Sequence, residues 1–325
     1  MDGPVTDGRR PPVVIVGLPR SGTTWTLRVL GTSPGTAKVL EADNEDKFPA
    51  AIHAKHRLGR YPSLVADQGA GPYRGLWAWI LSGGREGWRS RQARRILGPG
   101  EAIRIFEGTM DLTTWAAATL ARNPGAGRPV PQRVIAKSIH AQLSLEWIDS
   151  AFTVTPLVLL RHPANVLASW MEVGIKDGRN STLESRPEIR ARYVERWGVP
   201  LPGDDPVEKM SWRIACLTAA LEEASAANPG WHVRTHEQLC TDSTATFRTL
   251  FDDLGLEWGD ATEQYLVEND SPGEGYQTRR VAADVVGSWQ NRLDDDQLAT
   301  LRRVLATFPI TTWSDADFER TLPRS

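Results

Sequence analysis

Residues 13–30 constrain this chain's fold more than any other part. Val13-Val14-Ile15-Val16-Gly17-Leu18 is a short unbroken apolar run rich in β-branched residues, the pattern of a strand buried on both faces of a parallel sheet. Residues 19–23 interrupt it, and 24–30 then place Trp25, Leu27, Val29 and Leu30 at helical spacing. A glycine-bearing turn between a buried strand and a helix exposes backbone N–H groups at the positive end of the helix, a seat for a phosphate or a sulfate. Gly17-Leu18-Pro19-Arg20-Ser21-Gly22-Thr23-Thr24 has the G-x-x-x-x-G-K-[ST] spacing of a nucleotide phosphate loop, with Thr23 where the lysine belongs. A nucleoside triphosphatase needs that lysine on its β- and γ-phosphates, and an acidic strand end to hold Mg²⁺. The strand ends expected nearest the loop offer Lys137 and Arg161 instead. The pattern implies an anion site without a metal.

The alternation of strand and helix recurs. Val134-Ile135-Ala136 precedes a helical stretch from Ala141 to about Ser150, and Leu157 to Leu160 precedes another from Ala164 to Glu172. Trp231 to Thr235 precedes a helix from Thr244 to Leu254, which ends at Gly255, a suitable residue for the left-handed helix terminus. Such alternation predicts an α/β fold, a parallel β-sheet flanked by helices with helical insertions. Met210, Ile214, Leu217 and Leu221 form the apolar stripe of a further helix. The last helix is expected to start at Asp294-Asp295-Asp296, where negative charge suits the helix dipole. Residues 1–10 are expected to be a flexible tail and 11–325 a single domain. Residues 174–206, polar and proline-containing, are the candidate lid.

Composition removes several function classes. Of 325 residues, 38 are Lys or Arg and 40 are Asp or Glu, so the net charge of −2 argues against a nucleic-acid or anionic-membrane binder. Two cysteines, Cys216 and Cys240, are too few for a disulfide framework and point to a reducing, cytoplasmic setting. No apolar run approaches the ~20 residues that span a bilayer, and the opening residues, with only a short apolar run behind the basic pair Arg9-Arg10, are not expected to act as a secretory leader. The 13 Trp outnumber the 7 Phe and the 5 Tyr. Packing accounts for most of them, and Trp77, Trp79 and Trp88 are candidates to line a pocket for an apolar or aromatic molecule.

Pro19-Arg20-Ser21-Gly22-Thr23-Thr24-Trp25 resembles the 5′-phosphosulfate loop of sulfotransferases that use 3′-phosphoadenylyl sulfate. Leu157-Val158-Leu159-Leu160-Arg161-His162-Pro163 followed by Ser169 resembles that family's 3′-phosphate motif. The chemistry is sound, because an Arg fork suits a phosphate and a serine two helical turns on can donate a hydroxyl. Thr235-His236-Glu237-Gln238-Leu239 and Val286-Gly287-Ser288-Trp289 are similar, more loosely, to two later family segments. Where the family often has Arg-Lys-Gly closing over the nucleotide, this chain has Ala282-Ala283-Asp284, and Arg279 and Arg280 a few residues upstream are the candidate substitutes.

The resemblance implies transfer of a sulfuryl group from 3′-phosphoadenylyl sulfate to a hydroxyl or amine of a small-molecule acceptor, without a metal. Arg20, Ser21, Gly22, Thr23, Thr24, Trp25, Arg161, Ser169, Arg279 and Arg280 are then the nucleotide-binding candidates. Arg20 and Lys137 are implied at the bridging oxygen and the transferred group. For the base, the spacing of Glu41 from Arg20 resembles that of the tyrosylprotein branch, whereas His140 lies one residue beyond the place where another branch has its histidine. Either a carboxylate of raised pKa or a neutral imidazole could take the proton. A nucleotide kinase or triphosphatase on the same fold, and a nucleotide-binding protein without catalysis, are the competing readings. The arginines between Arg85 and Arg95 scatter around a helical wheel, as on a solvated helix.

Overall fold

A computed structural model of the chain describes residues 10–41, 43–45, 47–85, 87–96, 116, 119–120, 132–175, 183–269 and 286–319. Five strands, β1 (Val13–Gly17), β2 (Thr36–Leu40), β3 (Arg133–Ser138), β4 (Thr155–Leu160) and β5 (His232–Thr235), form one sheet in the order β2-β3-β1-β4-β5. Every pairing is parallel. Helix α1 (Thr23–Leu30) follows β1, and α2 (Pro49–Lys55), α3 (Pro72–Leu81) and α4 (Trp88–Ile96) lie between β2 and β3. Next come α5 (Leu145–Phe152), α6 (Pro163–Glu172), α7 (187–197, with a π-helical turn at its centre) and α8 (Pro206–Ala227). The described helices end with α9 (His236–Thr241), α10 (Ser243–Leu254), α11 (Asp260–Asn269) and α12 (Asp295–Leu305).

The uninterrupted apolar runs are explained by burial on both sides of the sheet. Val14 and Val16 of β1, Val134 and Ala136 of β3, and Val158 and Leu160 of β4 enter one core with α3, α5, α6, α8 and α12. Their neighbours Val13, Ile15, Ile135, Leu157 and Leu159 enter a second core with Leu27, Val29 and Leu30 of α1 and Phe247, Leu250 and Phe251 of α10. Alternate residues of each strand thus face opposite layers, as the pleat requires. The stripe Met210, Ile214, Leu217 and Leu221 is buried in the first core.

Several local expectations needed correction. Strand β2 was not anticipated, because Thr36-Ala37-Lys38-Val39-Leu40 at the sheet edge has only Val39 buried and lacks a continuous apolar signal. The helix after β3 begins at Leu145, since residues 139–144 form turns. Trp77 and Trp79 are buried in the core through α3, and Trp88 is exposed at the start of α4. The last helix starts as expected, with the Asp294 side chain accepting from the Gln297 backbone N–H in a capping box. In the candidate lid, Arg186 donates to the carbonyls of Leu58 (2.6 Å) and Tyr61 (2.7 Å), fastening residues 183–197 to the loop before α3. Residues 1–9, most of the segment between α4 and β3, and 270–285 with Arg279 and Arg280 lie outside the described residues.

The sheet order positions the candidate site. After β1 the chain crosses to β2 and β3 on one side and then to β4 and β5 on the other. The switch falls at β1, and in open parallel sheets ligands bind beyond the carboxyl ends of the strands at such a point.

Candidate active site

The loop after β1 is held by contacts that leave no space for larger residues. A Cβ on Gly17 would lie 2.4 Å from the Leu159 carbonyl oxygen and 2.5 Å from Ser21 Oγ. Gly22, at φ +84°, precedes α1, and a Cβ there would meet His236 Cδ2 at 2.0 Å. Inside the loop, Ser21 Oγ–H donates to the Leu18 carbonyl at 2.7 Å. Gln142 Nε2 donates to the Gly17 carbonyl at 2.8 Å, and Trp170 Nε1 donates to the Pro19 carbonyl at 2.9 Å. Thr23 is buried beneath the loop, and Trp25 packs edge-on against His236 and Phe247. The first turn of α1 carries no acidic residue and, among the described residues, its N–H groups, the positive end of the helix dipole, receive no side-chain cap.

Three cations surround this helix start, each delivered by a strand end or by the loop. Arg20 adopts φ +73°, an unusual conformation for a non-glycine residue, and its Nε donates to Ser169 Oγ at 2.9 Å. Arg161, immediately after β4, donates through Nη1 to the Arg20 carbonyl. The two motifs singled out in the sequence, 149 residues apart at Arg20 and Ser169, thus form one hydrogen-bonded unit. Burial lowers the Arg161 pKa to about 10, with Glu237 opposing, so the group remains a cation at neutral pH. Among the described residues, Arg161 Nε is buried without a hydrogen-bond partner, an arrangement that suits an anionic ligand absent from the protein alone.

Lys137, at the end of β3, donates to Thr24 Oγ1 at 2.8 Å and pairs with Glu41. Glu41 is held at φ +49° just beyond β2, with its N–H bonded to the Lys137 carbonyl at 2.9 Å. Its other carboxylate oxygen receives Lys47 Nζ at 2.6 Å and Asn44 Nδ2 at 3.0 Å. Burial alone would raise the Glu41 pKa, but Lys137 and Lys47 outweigh it and hold the carboxyl down to about 2. The expectation of a raised pKa for a carboxylate base is reversed at Glu41 by the paired ammonium groups. Burial also pushes the Lys137 pKa down, with Glu41 opposing.

His140 belongs to a neighbouring cluster. Arg60 Nε donates to its Nε2 at 3.1 Å, and its Nδ1 lies 3.3 Å from both Lys55 Nζ and Glu45 Oε2. Lys55 Nζ sits 2.5 Å from Glu45 Oε1 and donates to the Asp43 carbonyl at 3.0 Å. Ser138 Oγ–H donates to Asp43 Oδ2 at 2.7 Å. Burial lowers the His140 pKa, with Lys55 and Arg60 adding to the effect and Glu45 opposing it. The imidazole is neutral, and both of its nitrogens are engaged.

The structure also adds residues with weak or no sequence signal. Gln142, unremarkable in the sequence, braces the end of β1. Glu237 accepts from the His162 N–H at 3.1 Å, and burial raises its pKa against the pull of those N–H groups and Arg161. Asn165 Nδ2 donates to the Val286 carbonyl at 2.7 Å, while its Oδ1 accepts from Ser288 Oγ at 3.1 Å and the Trp289 N–H at 3.2 Å. The two loosely matching segments are therefore docked against the start of α6. Only the sequence resemblance could have flagged them, since no composition or periodicity marks such a junction.

A sequence profile of the Sulfotransferase family matches residues 11–260. Among solved structures, the chain is similar to a sulfotransferase domain from the curacin biosynthetic pathway (13% identity, 92% of this chain and 98% of that chain, TM-score 0.48). It is also similar to a sulfotransferase from Mycobacterium avium (12% identity, 95% and 78%, TM-score 0.41). A mouse sulfotransferase complexed with PAP, adenosine 3′,5′-bisphosphate, shares 13% identity over 95% of this chain and 87% of that chain, with a TM-score of 0.42. No curated protein sequence matches.

Proposed function

Because the chain belongs to the sulfotransferase family, we propose that it moves a sulfuryl group from 3′-phosphoadenylyl sulfate to a hydroxyl or amine of a small-molecule acceptor, with no metal in the transfer step. The observation that carries this reading is the joining of the loop to Arg161 and Ser169 through Arg20. A kinase would place a lysine and a metal-binding carboxylate here, whereas this site gathers cations around an uncapped helix start.

When bound, the donor supplies an activated sulfuryl group with a phosphate as its leaving group. We assign the 5′-phosphosulfate to the N–H groups and hydroxyls of Ser21, Gly22, Thr23 and Thr24, with Trp25 beside them. The 3′-phosphate goes to Arg161 and Ser169. Arg279 and Arg280 are proposed as a third contact to it. Arg20 and Lys137 supply positive charge where negative charge grows on the leaving and sulfonate oxygens, the role that fixed dipoles and cations play in group transfer generally. Glu41 is the proposed base. It lies beside Lys137 with an ionised carboxylate, while the neutral His140 is bound on both sides and is assigned to shaping the acceptor side.

Thermal unfolding with ligands tests the reading. PAP at a hundred times its Kd should stabilise the protein by ~2.7 kcal/mol, and ADP and ATP, which lack the 3′-phosphate, should do far less. Equal stabilisation by ATP with Mg²⁺, or turnover lost to EDTA and restored by added metal, would favour the kinase reading.

A further inference from the structure

Lys47 has no role in the sequence motifs, yet it is bonded to the proposed base. Its ammonium lies 2.6 Å from Glu41 Oε2, the oxygen that also accepts from Asn44 at 3.0 Å. The opposite oxygen belongs to Lys137, which in turn touches Thr24 of the loop. Glu41 is thus divided between an inner cation of the anion site and an outer one. Lys137 is buried, whereas the Lys47 side chain is 43% exposed, so the two cations differ in how strongly water screens them.

Among the described residues, the other charged groups nearby do not perform this task. Asp43 acts on Lys137 and on Ser138, and Glu45, Lys55, Arg60 and His140 contact one another in the adjoining cluster. Among the described residues, the groups that act directly on the Glu41 carboxylate are Lys137 from β3, and Lys47 and Asn44 from the turn before α2.

We propose that Lys47 is a positioning residue for sulfuryl transfer: with Asn44 it holds the outer oxygen of Glu41, leaves the inner oxygen to face Lys137 and the loop, and sets how readily the carboxylate accepts the acceptor's proton. The inference rests on Glu41 being the base. The two cations have separable duties. Lys137 serves the transferred group, and its attraction for Glu41 weakens as it does so. Lys47 stays with Glu41 throughout, keeping the carboxylate aimed and ionised before the acceptor's proton arrives. A carboxylate held by two cations is a weak proton acceptor, and its basicity rises when one of them is drawn away.

The test is a pH titration of ¹³C-carboxyl-glutamate-labelled protein by NMR, with the Glu41 resonance assigned by its absence from Glu41→Gln. Lys47→Gln should raise the Glu41 titration midpoint by about one pH unit or more, and Lys47→Arg should return it toward the original position. PAP affinity should be unchanged in both. Turnover, read as PAP released from 3′-phosphoadenylyl sulfate with 2-naphthol as the probe hydroxyl, should gain an acidic limb in Lys47→Gln at the same shifted midpoint. A midpoint that does not move, while Glu41→Gln is inactive, overturns the role of Lys47 and leaves the base standing. If Glu41→Gln turns over at the wild-type rate, the base assignment falls and the positioning role with it. Uniform loss of rate at every pH in Lys47→Gln, with no limb, reduces Lys47 to a structural contact and also overturns the proposal.

Discussion

Replacing Arg161 by alanine should dismantle the proposed 3′-phosphate site while sparing the fold around it. The guanidinium is half-buried and ionised, with one N–H on the Arg20 carbonyl and Nε unpartnered among the described residues. A charge-assisted hydrogen bond contributes ~1.5–3 kcal/mol, which at ~1.36 kcal/mol per factor of ten is a loss of ~10- to 150-fold in PAP affinity. The consequence for stability follows directly. At a PAP concentration of a hundred Kd the native protein gains ~2.7 kcal/mol, and a hundredfold weaker variant at the same concentration gains only ~0.4 kcal/mol. Calorimetric titration with PAP, beside ADP as the control lacking a 3′-phosphate, reads both quantities. Arg161→Lys, which keeps charge but loses the planar fork, should fall between the two. ADP affinity should change little. If Arg161→Ala binds PAP as tightly as the native protein, or loses PAP and ADP equally, the assignment of Arg161 to the 3′-phosphate is wrong.

Three further outcomes are expected. Glu41→Gln should lower kcat by ~10²–10⁴-fold with PAP affinity nearly unchanged, and His140→Ala should be milder; steady-state kinetics that give the reverse ranking would transfer the base role to His140. Gly22→Ala should destabilise the protein by at least ~1 kcal/mol from its left-handed backbone alone, and the displaced His236 should carry the loop with it, so thermal scans should show a lower Tm and no response to PAP. Stability in urea should fall as the pH drops from 7 to 4. His162, ~6.5 when unfolded, is held by burial at about 4 when folded, so between these values the unfolded state binds more protons and the stability present above pH 6.5 is lost, by up to ~3 kcal/mol for this residue. His140 and His236 are also lowered by burial and act in the same direction. Glu237, raised by burial, opposes them at the acidic end. A urea midpoint that rises on acidification would refute this accounting.

The parallel sheet and the strand–turn–helix that opens it were legible in the sequence because each rests on local patterns. An unbroken β-branched run such as Val13–Gly17 has few alternatives to a strand covered on both faces, and glycines at 17 and 22 permit a close turn whatever surrounds them. Arg161 and Ser169 could be proposed together from the sequence because both lie within one strand–helix unit. Strand β2 escaped notice because an edge strand with one buried residue has no apolar signature, and its partner β3 lies nearly a hundred residues on. What residues at such separations do to one another is decided only when the chain closes. The sequence named Glu41 first and His140 second as candidates for the base; it could not say that Lys137 and Lys47 would hold one ionised, or that Arg60, Lys55 and Glu45 would surround both nitrogens of the other. Nor could it show that Arg20 would reach Ser169 and join two motifs into one site. Local propensity is a property of neighbouring residues, whereas proton affinity and charge balance depend on whichever groups the fold packs within a few ångströms.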